Sequence, residues 1–270
     1  MSFAMSKVVF ISGASSGLGL SIADYLSRTG HIVYGSSRSP LEQKQFKMLV
    51  ADVTNPLSLR DAVSHIIKEQ GRLDVVINNA GLGIASPVET VPLVDVQRVL
   101  DTNVTGVISV VQAVLPQMRL QKSGLIINIS SIGSEIGLPY RGVYSASKAA
   151  VDRLTEALRT ELAPFGVQAC IVQPGGVRTD INKNRIRVNL PDDNVYKQNF
   201  EAAYDLINKS VAEGLEAEVF GKLVQRIIQQ KKVKAVYRLG NTTEKLSVYL
   251  KRMLPSAVFE NMIRKHYGLR

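Results

Sequence analysis

The chain has 270 residues, 45% hydrophobic and 21% charged, with 33 Lys and Arg against 23 Asp and Glu for a formal net charge of +10. That length allows one large α/β domain with a full core, and the balance is too ordinary for a disordered, collagenous or disulfide-rich chain. A single cysteine, Cys170 in an apolar run, excludes an internal disulfide, and the scattered His31, His65 and His266 show no ligand spacing, so no metal site is expected.

Along the chain, Lys7 to Ser12 (KVVFIS) reads as a buried strand. It runs into Gly13-Ala14-Ser15-Ser16-Gly17-Leu18-Gly19 and then an amphipathic helix from Leu20 to Arg28. Glycines between strand and helix let the backbone approach a phosphate whose charge is met by helix N-terminal amides. Further strands are expected at 31–36, 47–51, 73–78, 123–130, 167–173 and 232–237, with helices near 18–29, 56–70, 92–119, 144–165 and 215–230. This alternation, without repeats or low-complexity linkers, predicts a doubly wound Rossmann domain. Its seven-stranded, mostly parallel sheet has helices on both faces. Ligands bind beyond the carboxyl ends of such strands, and those ends carry Gly13, Asn79, Ser131 and Pro174. The apolar run Val8 to Ile11 is too short for a signal peptide, and no run of about 18 apolar residues is seen to span a membrane. A reducing cytoplasm is the expected location.

Tyr144 and Lys148 stand four residues apart on the helix expected from Gly142 to Phe165, so they share one face. An ammonium beside a phenol favours phenolate and pulls the Tyr pKa down from about 10. A group tuned in this way suits carbonyl reduction or alcohol oxidation. Ser131, thirteen residues before the tyrosine, closes the strand Leu125 to Ser130 and can offer a hydroxyl to the same carbonyl oxygen. Ser130 is its rival. Tyr-x-x-x-Lys alone is weak: nine Tyr and sixteen Lys in this chain make it a chance event about half a time.

The order GxxxGxG, Asn78-Asn79-Ala80-Gly81, Ser131, Tyr144, Lys148 and Pro174-Gly175 resembles the short-chain dehydrogenase/reductase family from about Lys7 to Gly240. The overall pattern is most similar to its 17β-hydroxysteroid dehydrogenase-like branch. The resemblance implies Ser131, Tyr144, Lys148 and Asn103 as the catalytic set, with Asn103 holding a water that relays protons from the lysine. It implies cofactor contacts from Gly13, Ser15, Ser16, Gly17, Leu18 and Gly19. Asp52 and Val53 resemble the pair that holds adenine, and Asn79, Ala80 and Gly81 the segment beside the adenosine ribose. Tyr144 and Lys148 lie at the nicotinamide ribose, and Pro174, Gly175, Val177 and Thr179 at its carboxamide. Ser12 stands where the family often has Thr, a departure expected to be harmless.

Cofactor choice depends on the end of the second strand, Val33-Tyr34-Gly35-Ser36-Ser37-Arg38. An NAD site usually places an acid there. This run has none, and Arg38, with Ser37, can pair with a 2′-phosphate, so NADP(H) is expected over NAD. Leu82-Gly83-Ile84 and Ile132 to Tyr140 are mostly apolar, with Glu135 and Arg141 as exceptions, which suits a hydrophobic ketone or aldehyde: steroid-like, retinoid-like or xenobiotic. Thr179 to Gly214, basic early at Lys183, Arg185 and Arg187, resembles the substrate lid of the family. The rival readings are a 3-oxoacyl-carrier-protein reductase, which usually ends soon after the last strand, and a non-catalytic cofactor-sensing regulator on the same fold. Nothing resembles a nucleic-acid-binding motif.

Val151, Leu154, Leu158 and Leu162 give the Tyr144 helix more apolar surface than one face needs, and the resemblance implies pairing of the helices about 98–119 and 144–165 in a homodimer or homotetramer. Residues 231–270 hold ten Lys or Arg against Glu244 and Glu260, or +8, leaving +2 for the remainder. In this tail, after the catalytic domain 1–240, Leu246, Tyr249, Leu250, Met253 and Leu254 predict an amphipathic helix ended by Pro255, and Ser256 is expected to cap a second. Both are expected to pack on the domain and flank the substrate mouth. The sharper alternative, a basic face leaning on anionic membrane, is the less favoured.

Overall fold

The computed structural model describes residues 6–40, 45–179 and 184–269. Strand β1 (Val8–Ile11) is buried at every residue, as a strand covered on both faces must be. Helix α1 (Gly17–Arg28) follows and returns the chain to β2 (Ile32–Ser37), which pairs parallel to β1. Strand β3 (Lys47–Val50) extends that edge. Helix α2 (Pro56–Gln70) has readable punctuation at both ends. Asn55 Oδ1 accepts from the amides of Leu57 and Ser58 at 3.0 and 3.3 Å, Pro56 occupies the first turn, and Gly71 closes the helix at φ 69°.

Strand β4 (Val75–Asn78) lies on the other side of β1. Helices α3 (Leu93–Leu100) and α4 (Gly106–Gln121) are joined through a π-helical turn, Asp101–Thr105, where the sequence predicts one regular helix. Next come β5 (Gly124–Ile129), α5 (Gly142–Glu161) and β6 (Val167–Pro174). Helix α5 ends earlier than expected, because Pro164 lacks an amide for the α ladder, and Ala163–Phe165 forms a 3₁₀ turn instead. Helices α6 (Lys197–Ala212) and α7 (Glu218–Ile228) precede β7 (Val236–Leu239). Helices α8 (Thr242–Met253) and α9 (Ser256–His266) complete the fold.

The seven strands run β7-β6-β5-β4-β1-β2-β3 and every pairing is parallel, so the expected sheet is fully parallel. Strand order reverses between β1 and β4, which opens the crevice above their carboxyl ends. One core layer packs α2, α4 and α5 on the sheet through Phe10, Leu59, Val110, Val114 and Val151, all 1% exposed or less. The other packs α1 and α7 through Ile22, Leu26, Phe220 and Val224, all fully buried. Cys170 belongs to this second layer, where burial pushes its thiol up to about 12.

Several expectations are corrected. The strand expected at 232–237 begins at Val236, because the Val233 amide is taken by Gln168 Oε1 at 2.9 Å. Leu215–Glu216, expected to start a helix, pairs instead with Val177–Arg178. Leu93–Gln121 is, by length and composition, apolar enough to cross a membrane, contrary to the sequence reading. Its Val107, Val110, Val111, Val114 and Met118 are spent on the core. In α8 the buried residue is Val248, while Leu246, Tyr249 and Met253 of the expected apolar stripe are exposed. Pro255, not Ser256, is the N-cap of α9, and no side chain caps it. Lys183 lies outside the described residues.

Candidate active site

The end of β1 supplies the tightest turn. Gly13 has φ +67°, and a Cβ there would lie 2.8 Å from Ala80 Cα, so both conformation and space demand glycine. Gly19 would put a Cβ 2.3 Å from Gly13 O, which lets α1 sit directly against the turn. Ser16 caps α1 with no side-chain hydrogen bond, leaving the first helical amides for a ligand. The turn is held from β4: Asn79 Nδ2 donates to Ser12 O and Gly13 O at 3.1 and 2.8 Å. The Ser12 hydroxyl accepts from the amides of Asn79 and Ala80, each at 3.1 Å. Ser12 is therefore a tie between two loops, a role not visible in the sequence.

On α5, Tyr144 and Lys148 are 8% and 6% exposed. Lys148 Nζ donates to Ile129 O at 2.9 Å, which fixes the ammonium beside the end of β5. Burial alone pushes the Tyr144 phenol up, but Lys148, Arg141, the Ser131 hydroxyl and Arg185 overcome it and hold the group below its ordinary value. Ser131 is turned towards the cleft as the cap of a short 3₁₀ turn, its Oγ accepting from Gly133 N at 3.0 Å. The rival Ser130 is buried and donates to Lys148 O at 3.3 Å, turned into the protein. Asn103 is fully buried in the π turn. Its Nδ2 donates to Leu82 O and Ser147 Oγ, and its Oδ1 accepts from Leu82 N. Both side-chain donors are thus committed, leaving one Oδ1 lone pair for a water.

These elements open into one cleft of about 1150 Å³. Gly13, Ser15, Ser16, Gly17, Leu18, Ser37, Arg38, Asp52, Val53, Asn79, Ala80, Gly81, Ser131, Tyr144, Lys148, Pro174, Gly175, Val177 and Thr179 all line it. Gly19 and Asn103 stand behind the wall. The residues fit a dinucleotide: Gly13 and Gly19 leave no room for a Cβ where a phosphate must approach, and the helix start is uncapped. Arg38 is exposed on the rim, and the Ser37 hydroxyl donates to Ser39 O.

On the substrate side Leu82, Ile132, Ile136, Leu138 and Arg141 line the cleft. Ile84 is used in pairing with Ile186, and Tyr140 packs on Phe200. Glu135 is taken up by ion pairs to Arg238 at 2.6 Å and Arg252 at 3.1 Å. Lys251 also donates to Glu135 O, at 2.5 Å. The tail completes the wall with Leu246, Leu250, Phe259, Met262, Ile263 and Tyr267. Glu244 Oε1 reaches back to accept from Gly176 N at 2.7 Å, while its Oε2 accepts from Asn241 N at 2.8 Å. The Asn-x-x-Glu capping spacing was present in the sequence; the contact to Gly176 had no local signal.

The family model for short chain dehydrogenases matches residues 7–189. A protein of Bacteroides thetaiotaomicron named 3-ketodihydrosphingosine reductase is 41% identical over 266 residues, 98% of this chain and 99% of that one. The crystal structure of a short-chain dehydrogenase from Streptomyces avermitilis superposes with a TM-score of 0.80 at 25% identity, covering 99% of each chain. A short chain dehydrogenase/reductase from Burkholderia phymatum in complex with NAD has the same fold, with a TM-score of 0.80 at 23% identity over 93% of this chain and 95% of that one.

Proposed function

The chain belongs to the short-chain dehydrogenase family of oxidoreductases, and from that premise we propose that it interconverts a carbonyl and an alcohol on a hydrophobic substrate, with NADP(H) as cofactor. The observation that carries this reading is the meeting of Ser131, Lys148 and a Tyr144 phenol held below its ordinary value in one cleft with the glycine turn. The Gly13–Gly19 turn, Asp52, Asn79 and the Pro174–Thr179 segment would hold a nicotinamide dinucleotide, which when bound would supply or accept the hydride. Tyr144 Oη gives a proton to the substrate oxygen in reduction and takes one in oxidation. Ser131 Oγ donates to the same oxygen and stabilises its developing charge. Lys148 Nζ keeps phenolate accessible, and Asn103 holds Leu82 and Ser147 in place behind it.

Arg38 and the lack of an acid at the end of β2 support NADP(H). The apolar wall, and the Bacteroides relative's name as the reductase of a long-chain ketone, support an aliphatic carbonyl substrate. A 3-oxoacyl-carrier-protein reductase activity is the second reading, resting on the shared catalytic residues. We also infer a homodimer, supported by Ile108 and Leu120, which α4 leaves exposed. Light scattering at micromolar concentration tests it, a monomeric mass counting against it. The decisive experiment is NADPH oxidation against long-chain ketones, aldehydes, steroids and β-ketoacyl thioesters, with NADH in parallel. Turnover of a long-chain ketone is expected, faster with NADPH, and Arg38→Asp should reverse the cofactor preference. Exclusive turnover of thioesters would move the assignment to the second reading.

A further inference from the structure

Two guanidinium groups face the catalytic phenol and, besides helping Lys148 to favour phenolate, have no ion pair of their own among the described residues. Arg141 precedes α5 and holds its guanidinium carbon 4.6 Å from the centroid of the Tyr144 ring. Its Nε is buried with no hydrogen-bond partner. Tyr140, just before it, is a non-glycine residue at φ +57°, kept there by Ser86 N donating to Tyr140 O and by the edge-on contact of its ring with Phe200. Arg185, from the segment after β6, is 8% exposed and donates to Asn208 Oδ1 at 3.1 Å. Both line the cleft.

Neither guanidinium forms an ion pair among the described residues, whereas the neighbouring Arg178 and Arg187 pair with Glu216 and Glu201. A guanidinium stays protonated at neutral pH, and withdrawing it from water without a carboxylate is costly. Arg185 is withdrawn in this way with only neutral partners, Asn208 and Tyr204, while Arg141 is half-buried; the two stand close enough to oppose one another, with Lys148 as a third charge near the same phenol. The dinucleotide phosphates do not offer compensation, because their cradle is the turn at the start of α1. Lys148 lies one helical turn beyond Tyr144, towards Gly81 and Asn103. Arg141 lies one turn before it, close enough to act on the charge of Tyr267, the residue that ends α9. The uncompensated charge is therefore on the substrate side.

We propose that Arg141 and Arg185 form a seat for an anionic group of the substrate. The substrate class is then an amphiphile: a phosphate monoester or carboxylate a few bonds from the reacting carbon, with an apolar chain leading towards α8 and α9. The geometry suits a planar, doubly donating recognition of oxyanions. This inference rests on the carbonyl-reductase reading for the role of the anion, but the seat itself can be measured without turnover.

The experiment is calorimetric titration of the full-length protein, saturated with NADP⁺ so that the phosphate cradle is filled, with octyl phosphate, octanoate, octanol and octylamine. At least one of the two anions is expected to bind about tenfold or more tighter than octanol or octylamine. Their ranking separates phosphate from carboxylate. Arg185→Gln and Arg141→Gln should each remove most of that preference, and Arg185→Lys, which keeps the charge, should retain part of it. Thermal melting identifies any variant that has not folded, and Arg185→Lys then serves in place of Arg185→Gln. Octanol binding as tightly as both anions, or folded variants with unchanged preference, overturns the seat. Steady-state turnover of a long-chain hydroxymethyl ketone and its phosphate monoester separates the two ideas. Reduction of both without preference sinks the seat alone, whereas anion binding with no reduction of either sinks the oxidoreductase reading and leaves the seat standing.

Discussion

Three glycines separate what a turn demands from what a ligand demands. Gly30 has φ +91° with no heavy atom within 4 Å of an added Cβ, so Gly30→Ala strains only the backbone. That costs about 1 kcal/mol. Gly19 is helical, but its added Cβ falls 2.3 Å from Gly13 O and from Asn79 Nδ2, so Gly19→Ala is a purely steric insult. Overpacking of that kind costs about 1–3 kcal/mol. Gly13→Ala combines both, with φ +67° and a contact of 2.8 Å to Ala80 Cα, for about 2–5 kcal/mol. In a chain of this size each kcal/mol moves Tm by about 2–4 °C. The expected losses by calorimetry are therefore about 2–4 °C for Gly30→Ala, about 2–12 °C for Gly19→Ala and about 4–20 °C for Gly13→Ala. Dinucleotide affinity, read by fluorescence titration, should fall about tenfold or more in Gly13→Ala and Gly19→Ala, because Gly13 and Asn79 are displaced. Gly30→Ala should bind normally. Equal Tm shifts for Gly13→Ala and Gly30→Ala, with unchanged affinity in both, would refute the assignment of the turn as the phosphate cradle.

The remaining predictions concern charge. Alcohol oxidation needs Tyr144 as phenolate, so its rate should climb with pH from a value below the usual tyrosine range, and Lys148→Met should move that climb to higher pH. A profile unmoved by Lys148→Met would remove the lysine from the proton step, and Tyr144→Phe should abolish turnover while leaving dinucleotide binding intact. Burial pushes the Glu135 carboxyl up, but Arg238, Gln173 and Arg252 pull it below its ordinary value, so its contribution is present above the unfolded value of about 4.3 and lost as pH falls through the folded one. Glu135→Gln should cost about 1–2 kcal/mol at neutral pH, a difference from wild type that shrinks in acid; a constant difference across pH would sink the ion-pair account. Leu246, Tyr249, Met253, Val258 and Met262 are exposed on α8 and α9 beside Lys251, Arg252, Arg264 and Lys265; with both helices packed on the domain the protein is expected to stay in the supernatant with anionic vesicles, whereas salt-sensitive co-sedimentation lost in Leu246→Glu/Met253→Glu would favour the membrane alternative. Intact protein that stays in the supernatant ends that idea.

The sheet was legible because parallel strands buried on both faces leave unbroken apolar runs, as in VVFI and the GLIINI of β5. The glycine turn, Tyr144 and Lys148 were legible because their spacing is local. Arg185 was visible only as one of three basic residues in a segment without periodicity, and its burial depends on Asn208, which belongs to a helix the sequence did not place. Glu135 meets Arg238 and Arg252 across more than a hundred residues, a pairing that no window on the sequence contains. The face of α8 was misjudged in part because Leu246 and Leu250 border the cleft, where exposure and hydrophobicity coexist, while Tyr249 and Met253 stand exposed outside it.

The Glu244 contact to Gly176 and the tail wall have a consequence for the order in which the protein is finished. The residues that fit a dinucleotide lie between Gly13 and Thr179, but the substrate wall is closed by α8 and α9, which follow β7 in the chain. At about 5–20 residues per second, a ribosome takes seconds to make the tail after β7. Emergence of α8 and α9 therefore does two things at once: Glu244 braces Gly176 in the segment proposed to hold the cofactor, and Leu246 and Phe259 close the substrate wall.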